Sequence, residues 1–142
     1  EMVRVVGPGG IVAAYGWDSV AGGSPIALVQ AELRAMGLTP HLPPSRNASR
    51  IEALRELWAA AGLESIETRE IAVQRRFADA DDFWASASRT DSVRPVIAGM
   101  TPADQDRLKQ NICRRLPSDP DGRVTHSGRA NAVLGRVPVK KD

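Results

Sequence analysis

Apolar residues recur along this chain with two different periods, and these periods predict the order of its secondary-structure elements. A short apolar run from Ile11 to Tyr15, preceded by glycines, predicts a strand buried on both faces. Side chains alternate over residues 64–75 and 124–137, which predicts two further strands. The predicted order is strand, two helices, strand, two helices, strand, so the chain belongs to the α/β class.

Apolar residues spaced three and four apart predict the four helices, and each helix is preceded by a residue that can cap it. Glu52, three residues after Ser49, completes a capping box. The side chains expected to accept a hydrogen bond from a first helical turn are those of Ser24, Ser49, Asp79 and Thr101. We predict a single domain over residues 1–142, helical in 19–62 and 77–117, with a frayed end at residues 140–142.

Composition and charge narrow the class of protein. The chain of 142 residues is 42% apolar and 25% charged, which is ordinary for a globular domain. Because no apolar run approaches the roughly 20 residues that span a bilayer and no signal sequence is recognisable, we expect a cytoplasmic protein without membrane contact. The net charge is +2 with scattered basic residues. Nucleic-acid binding needs a concentrated basic patch, so we do not expect it.

The usual catalytic and metal-binding patterns are missing from the sequence. Cys113 is the single cysteine and shares a helical apolar stripe with Ile112, which favours a packed thiol over a nucleophile. His41 and His126 have no ligand partners at zinc spacing, so we predict no metal. His126 could act as a general base if it faced a pocket, although a partly buried, hydrogen-bonded histidine is the commoner case. Helix polarity alone explains three acids near one helix start: Asp79, Asp81 and Asp82.

Three segments and the closing strand resemble the C-terminal half of class I S-adenosylmethionine-dependent methyltransferases, in particular the small-molecule group called type 11. The segments are RVVGPGGIV at 4–12, WAAAGL at 58–63 and RFADADDFW at 76–84. The resemblance implies a partial Rossmann-like fold whose three strands are equivalent to the fifth, seventh and sixth of the family. They would lie in that order in a small mixed sheet with four helices, the last strand running antiparallel. The helical regions would be lid-like.

The same resemblance implies that the cofactor-binding half of the family is absent from this sequence. The family holds S-adenosylmethionine with a glycine-rich loop after its first strand, and no Gly-x-Gly-x-Gly occurs here. Gly7, Gly9 and Gly10 belong to a turn that leads into a strand, where they shape the backbone. We therefore carry over no cofactor-binding residue and expect this chain alone to bind no S-adenosylmethionine.

Four side chains are candidates for facing a substrate. Trp17 and Asp18 follow the first predicted strand at the end where α/β proteins collect ligands, and in the family this position faces the substrate pocket. The alternative is that Asp18 caps a turn and Trp17 covers the core. Phe83 and Trp84 lie in the segment that forms the lid in the family, but aromatic residues beside a capped helix start usually pack inward as a core pair.

Two functions remain open from the sequence. The first is the substrate-side portion of a methyltransferase acting on a small molecule, with unknown catalytic residues. The second is an inactive, truncated remnant that acts as a self-associating module. We expect a homo-oligomer in both cases, because the strand from Ile11 to Tyr15 would have one bare edge that invites pairing with another chain. Val12→Lys is expected to disturb that seam.

Overall fold

The computed structural model describes residues 1–139, so the predicted frayed end at 140–142 lies outside the described residues. The elements follow the predicted order, with short additions. They are α1 (Met2–Val5), β1 (Ile11–Trp17), α2 (Ala27–Ala35), a 3-10 helix (Arg46–Ser49), α3 (Ile51–Ala60), β2 (Glu64–Phe77), α4 (Ala80–Ala87), α5 (Arg94–Ala98), α6 (Pro102–Arg115) and β3 (Val124–Arg136).

The three strands form one sheet in the order β1-β3-β2. Strand β1 pairs antiparallel with β3, from Ile11 opposite Arg136 to Trp17 opposite Ala130. The last strand in sequence therefore lies in the middle, as the resemblance implied. The sheet is antiparallel and not mixed as predicted, because the reversed strand β3 separates the other two and pairs with both.

The described residues contain six α-helices, whereas the sequence predicted four. The additional helices are α1 and α5, with four and five residues. Helices this short do not present an apolar stripe over two or more turns, so periodicity cannot reveal them. The four longer helices, α2, α3, α4 and α6, lie where they were predicted.

The capping predictions for α4 and α6 are confirmed. The Asp79 carboxylate accepts a hydrogen bond from the Asp82 backbone N–H at 2.8 Å, and the Asp82 carboxylate accepts one from the Ala78 N–H at 3.1 Å. The Thr101 hydroxyl oxygen accepts from the Asp104 N–H at 3.2 Å. Each cap satisfies a donor that the first helical turn leaves without an intrahelical partner.

The capping predictions for α2 and α3 are wrong. Helix α2 begins at Ala27 with Ile26 at its N-cap, two residues beyond the start that Ser24 predicted. Helix α3 has Arg50 at its N-cap and no side-chain cap. The Ser49 hydroxyl instead donates to the Arg46 carbonyl at 2.7 Å and accepts from the Ser19 N–H at 3.3 Å.

Backbone contacts group the chain into two compact units. Among the described residues, unit 1 comprises residues 1–24, 45–72 and those from 129 onward, and unit 2 comprises residues 25–44 and 73–128. The single domain over 1–142 therefore stays a prediction. Strands β2 and β3 each have residues in both units.

The core of unit 1 lies between the sheet and α3. The Trp58 indole N–H donates to the Val12 carbonyl at 3.0 Å, so the largest core side chain also satisfies a backbone acceptor of β1. Val12 is therefore a core residue. Val12→Lys would bury a charge in this core and destabilise it, so this variant does not test pairing at the edge of the sheet. The buried apolar residues of this core are Val12, Leu54, Trp58, Leu63 and Val133.

The core of unit 2 is built from helices around an aromatic centre. Phe83 packs edge-on against Phe77, with ring centroids 5.3 Å apart, and against the His126 ring at 4.8 Å. Such edge-to-face contacts add to the free energy of area burial. The buried apolar residues of this core are Ile26, Val29, Leu33, Phe77, Phe83, Ala87, Val93, Ile97, Leu108, Ile112, Leu116 and Val124.

Candidate functional site

A cavity of about 260 Å³ lies in unit 1 where β1 ends. It lies beside the first residues of α3 and beside side chains from β2 and β3. We call it the β1-end cavity. Its lining residues are Asp18, Val20, Ala21, Arg50, Ile51, Glu52, Glu70, Arg129 and Asn131.

Asp18 anchors one wall of the β1-end cavity. Its side chain is 8% exposed, and its Oδ2 accepts from the Arg129 guanidinium at 2.9 Å. Its Oδ1 accepts from the Ala21 N–H at 3.1 Å, which closes the turn after β1. The Asp18 N–H donates to the Arg129 carbonyl at 2.9 Å, so backbone and side chain both bind this turn to β3. Asp18 thus closes a turn and lines the cavity as well.

Arg129 lies between two acids. Besides its contact with Asp18, its Nε is 3.9 Å from a Glu70 carboxylate oxygen, within ion-pair range but too far for a hydrogen bond. The Nε atom is buried and has no hydrogen-bond partner among the described residues. A buried N–H without an acceptor costs free energy, which marks this side of the cavity as incompletely satisfied.

Asn131 supplies a second unpartnered group. It is 2% exposed, and its side-chain NH₂ donates to the Ser49 carbonyl at 2.8 Å. Because a carbonyl can only accept, this contact fixes which end of the amide faces Ser49. The other end, Oδ1, is a buried acceptor with no partner within residues 1–139.

The beginning of α3 forms another part of the lining, through Arg50, Ile51 and Glu52. Because no side chain caps this ten-residue helix, the N–H groups of its first turn have no capping acceptor. The helix end and the Arg50 guanidinium contribute positive charge to the lining, and Glu52 contributes negative charge. The lining therefore has mixed charge.

The four sequence-predicted substrate-facing residues are placed differently. Asp18 lines the β1-end cavity, while the adjacent Trp17 is 42% exposed and is not among the lining residues. In unit 2, Phe83 is 1% exposed within the core, and Trp84 is half-buried against the same core. The structure brings Trp17 and Asp18 together in unit 1 and Phe83 and Trp84 together in unit 2. Their roles toward a substrate stay predictions.

Sequence reasoning missed Glu70, Arg129 and Asn131. Arg129 and Asn131 are two apart on β3, so they point to the same face of that strand. Thr125 and Ser127 share that face, so the pair did not stand out in the sequence. Nothing in the sequence indicated Glu70, because its place depends on the pairing of β2 with β3.

The two other titratable candidates lie in unit 2. Burial lowers the pKa of His126 below its ordinary 6.5, and a hydrogen bond with the Pro25 backbone opposes this. Burial, and next the nearby Asp81 charge, raises the pKa of the Cys113 thiol, whose Sγ is 3.9 Å from the Ala80 carbonyl. A raised pKa suppresses the thiolate, so Cys113 is not an activated nucleophile.

The N-terminal glycines do not fit a role in binding S-adenosylmethionine. The Gly10 N–H donates to the Gly7 carbonyl at 3.0 Å, and a Cβ at Gly10 would come within 2.4 Å of the Val6 side chain. Gly9 has a φ of +78°, which favours glycine. These glycines close a tight turn before β1, and the backbone groups they use are bonded to the protein itself.

Neither a metal-binding cluster nor a membrane-spanning helix occurs among the described residues. No group of three or more His, Cys, Asp and Glu side chains in residues 1–139 could hold a metal ion. None of the helices in that part of the chain is long and apolar enough to cross a membrane.

Comparison with known proteins does not show a family for this chain. No protein-family model matches it, and no curated protein matches it. A crystal structure from Bacillus halodurans C-125, of a protein named as a proposed methyltransferase, is similar with 15% identity and a TM-score of 0.39. The match covers 96% of this chain and 55% of that chain, so this chain spans about half of that protein's length. A score this low supports no inference about fold or function.

Proposed function

We propose that this chain is the substrate-side, C-terminal part of a class I S-adenosylmethionine-dependent methyltransferase that acts on a small molecule. The supporting observation is the strand order β1-β3-β2, with a reversed last strand between the other two. The sequence resemblance implied this order, which neither composition nor periodicity implies. In the family that the sequence resembles, the fifth, seventh and sixth strands would have this order.

The chemistry of methyl transfer agrees with the residues found. Transfer to a small acceptor depends mainly on proximity and in-line orientation, so a protein can perform it without a nucleophile or metal of its own. The β1-end cavity, with Asp18 at its wall, would contribute to holding the acceptor. The residues present do not fit the methyl donor, so its binding would need residues outside this sequence.

Calorimetry and the reading frame upstream of Glu1 test this proposal together. We expect titration of this chain with S-adenosylmethionine to give no binding heat. The protein encoded with its upstream sequence is expected to contain a strand followed by a glycine-rich loop and to transfer a labelled methyl group. A micromolar dissociation constant for this chain alone would show that our account of the donor site is wrong. An upstream sequence without that loop would contradict the methyltransferase assignment.

The second candidate, a self-associating module, is favoured by β1. This strand lies at the edge of the sheet and pairs on one side with β3. Its exposed side chains include large apolar ones, with Tyr15 80% exposed and Ile11 51% exposed. An unpaired edge with exposed apolar residues can be satisfied by a second copy of the same strand.

Light scattering across a dilution series tests self-association. Tyr15→Lys places a charge on the exposed side of β1 without entering the core and is expected to shift a dimer toward monomer. Leu57→Lys, which replaces an exposed apolar residue on α3, is the control and should leave the dimer unchanged. A stable wild-type monomer at micromolar concentration would contradict this candidate.

A further inference from the structure

We propose that the chain forms a two-fold dimer through the face of its sheet that points away from α3. We call this surface in unit 1 the open face. It shares self-association with the second candidate above, but the contact lies on a face that includes β2 and not on the free edge of β1. It requires no methyl transfer. The residues that define the open face are Ala13, Tyr15, Arg69, Ile71, Ala132 and Leu134.

The alternation of side chains along β1 and β3 divides the sheet into two faces. Val12 and Val133 lie on the face that α3 covers, where they are 4% and 3% exposed. Their neighbours along each strand point the opposite way. Tyr15 and Ala132 are directly opposite each other in the pairing of β1 with β3, so both belong to the open face.

Strand β2 contributes to the open face by the same alternation. The Arg55 guanidinium of α3 donates to the Thr68 hydroxyl at 2.9 Å, so Thr68 points toward α3. Glu67, Arg69 and Ile71 therefore point to the open face. Residues of all three strands line a depression of about 580 Å³ in this face.

The open face is more apolar than a surface that only meets water. Tyr15 is 80% exposed, Ile11 51%, Trp17 42% and Ile71 39%. Exposed apolar patches of several neighbouring side chains usually mark interaction sites. With aromatic side chains at about 150–250 Å² each, the open face exposes roughly 700 Å² per copy. Two copies would bury on the order of 1,400 Å², within the roughly 1,200–2,000 Å² of stable interfaces.

Two charges make the open face complementary to a second copy of itself. Glu67 and Arg69 are opposite in sign and lie about 7 Å apart along β2. Neither side chain has an ion pair or hydrogen bond with any other residue that the structure describes. A two-fold axis between them would place Glu67 of each copy beside Arg69 of the other, which gives two ion pairs. A partner with charge of one sign would leave one of the two unpaired.

The shape of the open face is also complementary to itself. The Tyr15 ring projects into solvent, while Ala132 opposite it and Ala13 beside it are small and line the depression. Each copy therefore offers one projecting ring and a depression for an apolar side chain of the other. In an isologous contact both features are used twice.

Sedimentation equilibrium of the full chain across a dilution series tests the dimer. Ile71→Lys is expected to weaken the wild-type dimer at least tenfold, because it buries a charge without a partner. Leu57→Lys, on the exposed side of α3, is the matched control and should leave the dissociation constant unchanged. A wild-type chain that is monomeric at every concentration would overturn the proposal.

The same measurement separates the open face from the free edge of β1. Strand β3 lies between β1 and β2, so pairing of two β1 edges leaves Ile71 outside the contact. A dimer that Tyr15→Lys dissociates and a folded Ile71→Lys leaves intact would overturn the open-face proposal and retain edge pairing.

A charge exchange tests the orientation of the two copies and decides the question if Ile71→Lys does not fold. Glu67→Arg and Arg69→Glu are exposed single changes that would each oppose like charges twice. Each is expected to weaken the dimer about three- to tenfold. The double variant restores opposite charges and should dimerise within about twofold of the wild type. A double variant no tighter than either single variant would overturn the proposed two-fold contact.

Discussion

The two units differ in the size of their apolar cores and in the elements that form them. Among the described residues, unit 1 buries five apolar side chains between one helix and the sheet, and unit 2 buries twelve around Phe83. Contacts in unit 1 join residues far apart in sequence, such as Val12 and Val133. Unit 2 relies mainly on helices with apolar stripes, two of them with side-chain caps. The unit with the smaller core contains the candidate site.

Both units contain buried polar atoms without a hydrogen-bond partner among the described residues, His126 Nε2 in unit 2 being one of them, and they differ in how individual buried side chains are bonded. In unit 2 the Glu32 carboxylate receives the Arg115 guanidinium at 3.1 Å and the Asn111 amide at 2.7 Å, one at each oxygen. In unit 1 the Asn131 oxygen has no partner within the described part of the chain. A satisfied buried carboxylate contributes to stability, whereas an unsatisfied buried amide oxygen costs free energy. The following changes test this contrast.

The largest effect is expected from Phe83→Ala in unit 2. Deleting a fully buried aromatic ring typically costs about 3–5 kcal/mol of unfolding free energy, because the cavity left behind adds to the lost burial. Trp84→Ala, at a half-buried neighbour, should cost less. Urea denaturation monitored by circular dichroism measures both. Equal losses would show that Phe83 is not the centre of this core.

Trp58→Phe in unit 1 is expected to cost about 1–2 kcal/mol, because the Val12 carbonyl loses the indole N–H as a donor and the smaller ring fills the core less well. Trp17→Phe is the matched control on β1, where the indole is partly exposed, and should stay within about 0.5 kcal/mol of the wild type. The same urea denaturation applies. A Trp58→Phe variant as stable as the control would show that the indole hydrogen bond does not stabilise unit 1.

Two substitutions at helix N-termini are expected to change the stability by smaller amounts and in opposite directions. Asp79→Ala should destabilise unit 2 by about 1 kcal/mol, since α4 loses its N-cap acceptor. Arg50→Ser should stabilise unit 1 by a similar or smaller amount, because it gives α3 the cap that it lacks. Thermal melts measure both. Stabilisation by Arg50→Ser would also show that the open helix end is retained at a cost in stability.

The smallest effect concerns pH and His126 in unit 2. Because burial lowers its pKa in the folded state, the unfolded chain binds the proton more tightly. This contribution to stability is complete above about pH 6.5 and is lost as the pH falls from there toward the lowered pKa. Urea denaturation between pH 5 and 8 should show this loss, and His126→Gln should reduce it. An unchanged profile in the variant would assign the loss to other groups.

The sequence predicted the parts of the fold that depend on local signals. The stripe through Leu108 and Ile112, with its Thr101 cap, required no knowledge of distant residues. Ser49 showed the limit of such signals, because its hydroxyl is engaged by Ser19 and Arg46, and Ser19 lies 30 residues away. A capping residue with a competing partner cannot be recognised from spacing alone.

The candidate site was predicted only at Asp18. Its ion-pair partner Arg129 is 111 residues further along the chain, and only the pairing of β1 with β3 brings them together. Spacing rules describe neighbours within a helix or strand, so they could not find this pair. The strand order itself came from the family resemblance, which carries information about long-range pairing that periodicity lacks.

The central position of β3 has a consequence for how quickly the molecule can form. Ile11 cannot find its partner Arg136 until the chain between them has closed a loop of well over one hundred residues. Such closure is slow to occur by chance, and pairings this distant raise the contact order, which lowers folding rates. During synthesis, β1 and β2 would stay unpaired until β3, their common neighbour, had left the ribosome. The helices of unit 2 would therefore form before the sheet does. The pairing of β3 with β1 and β2 would then limit the folding rate.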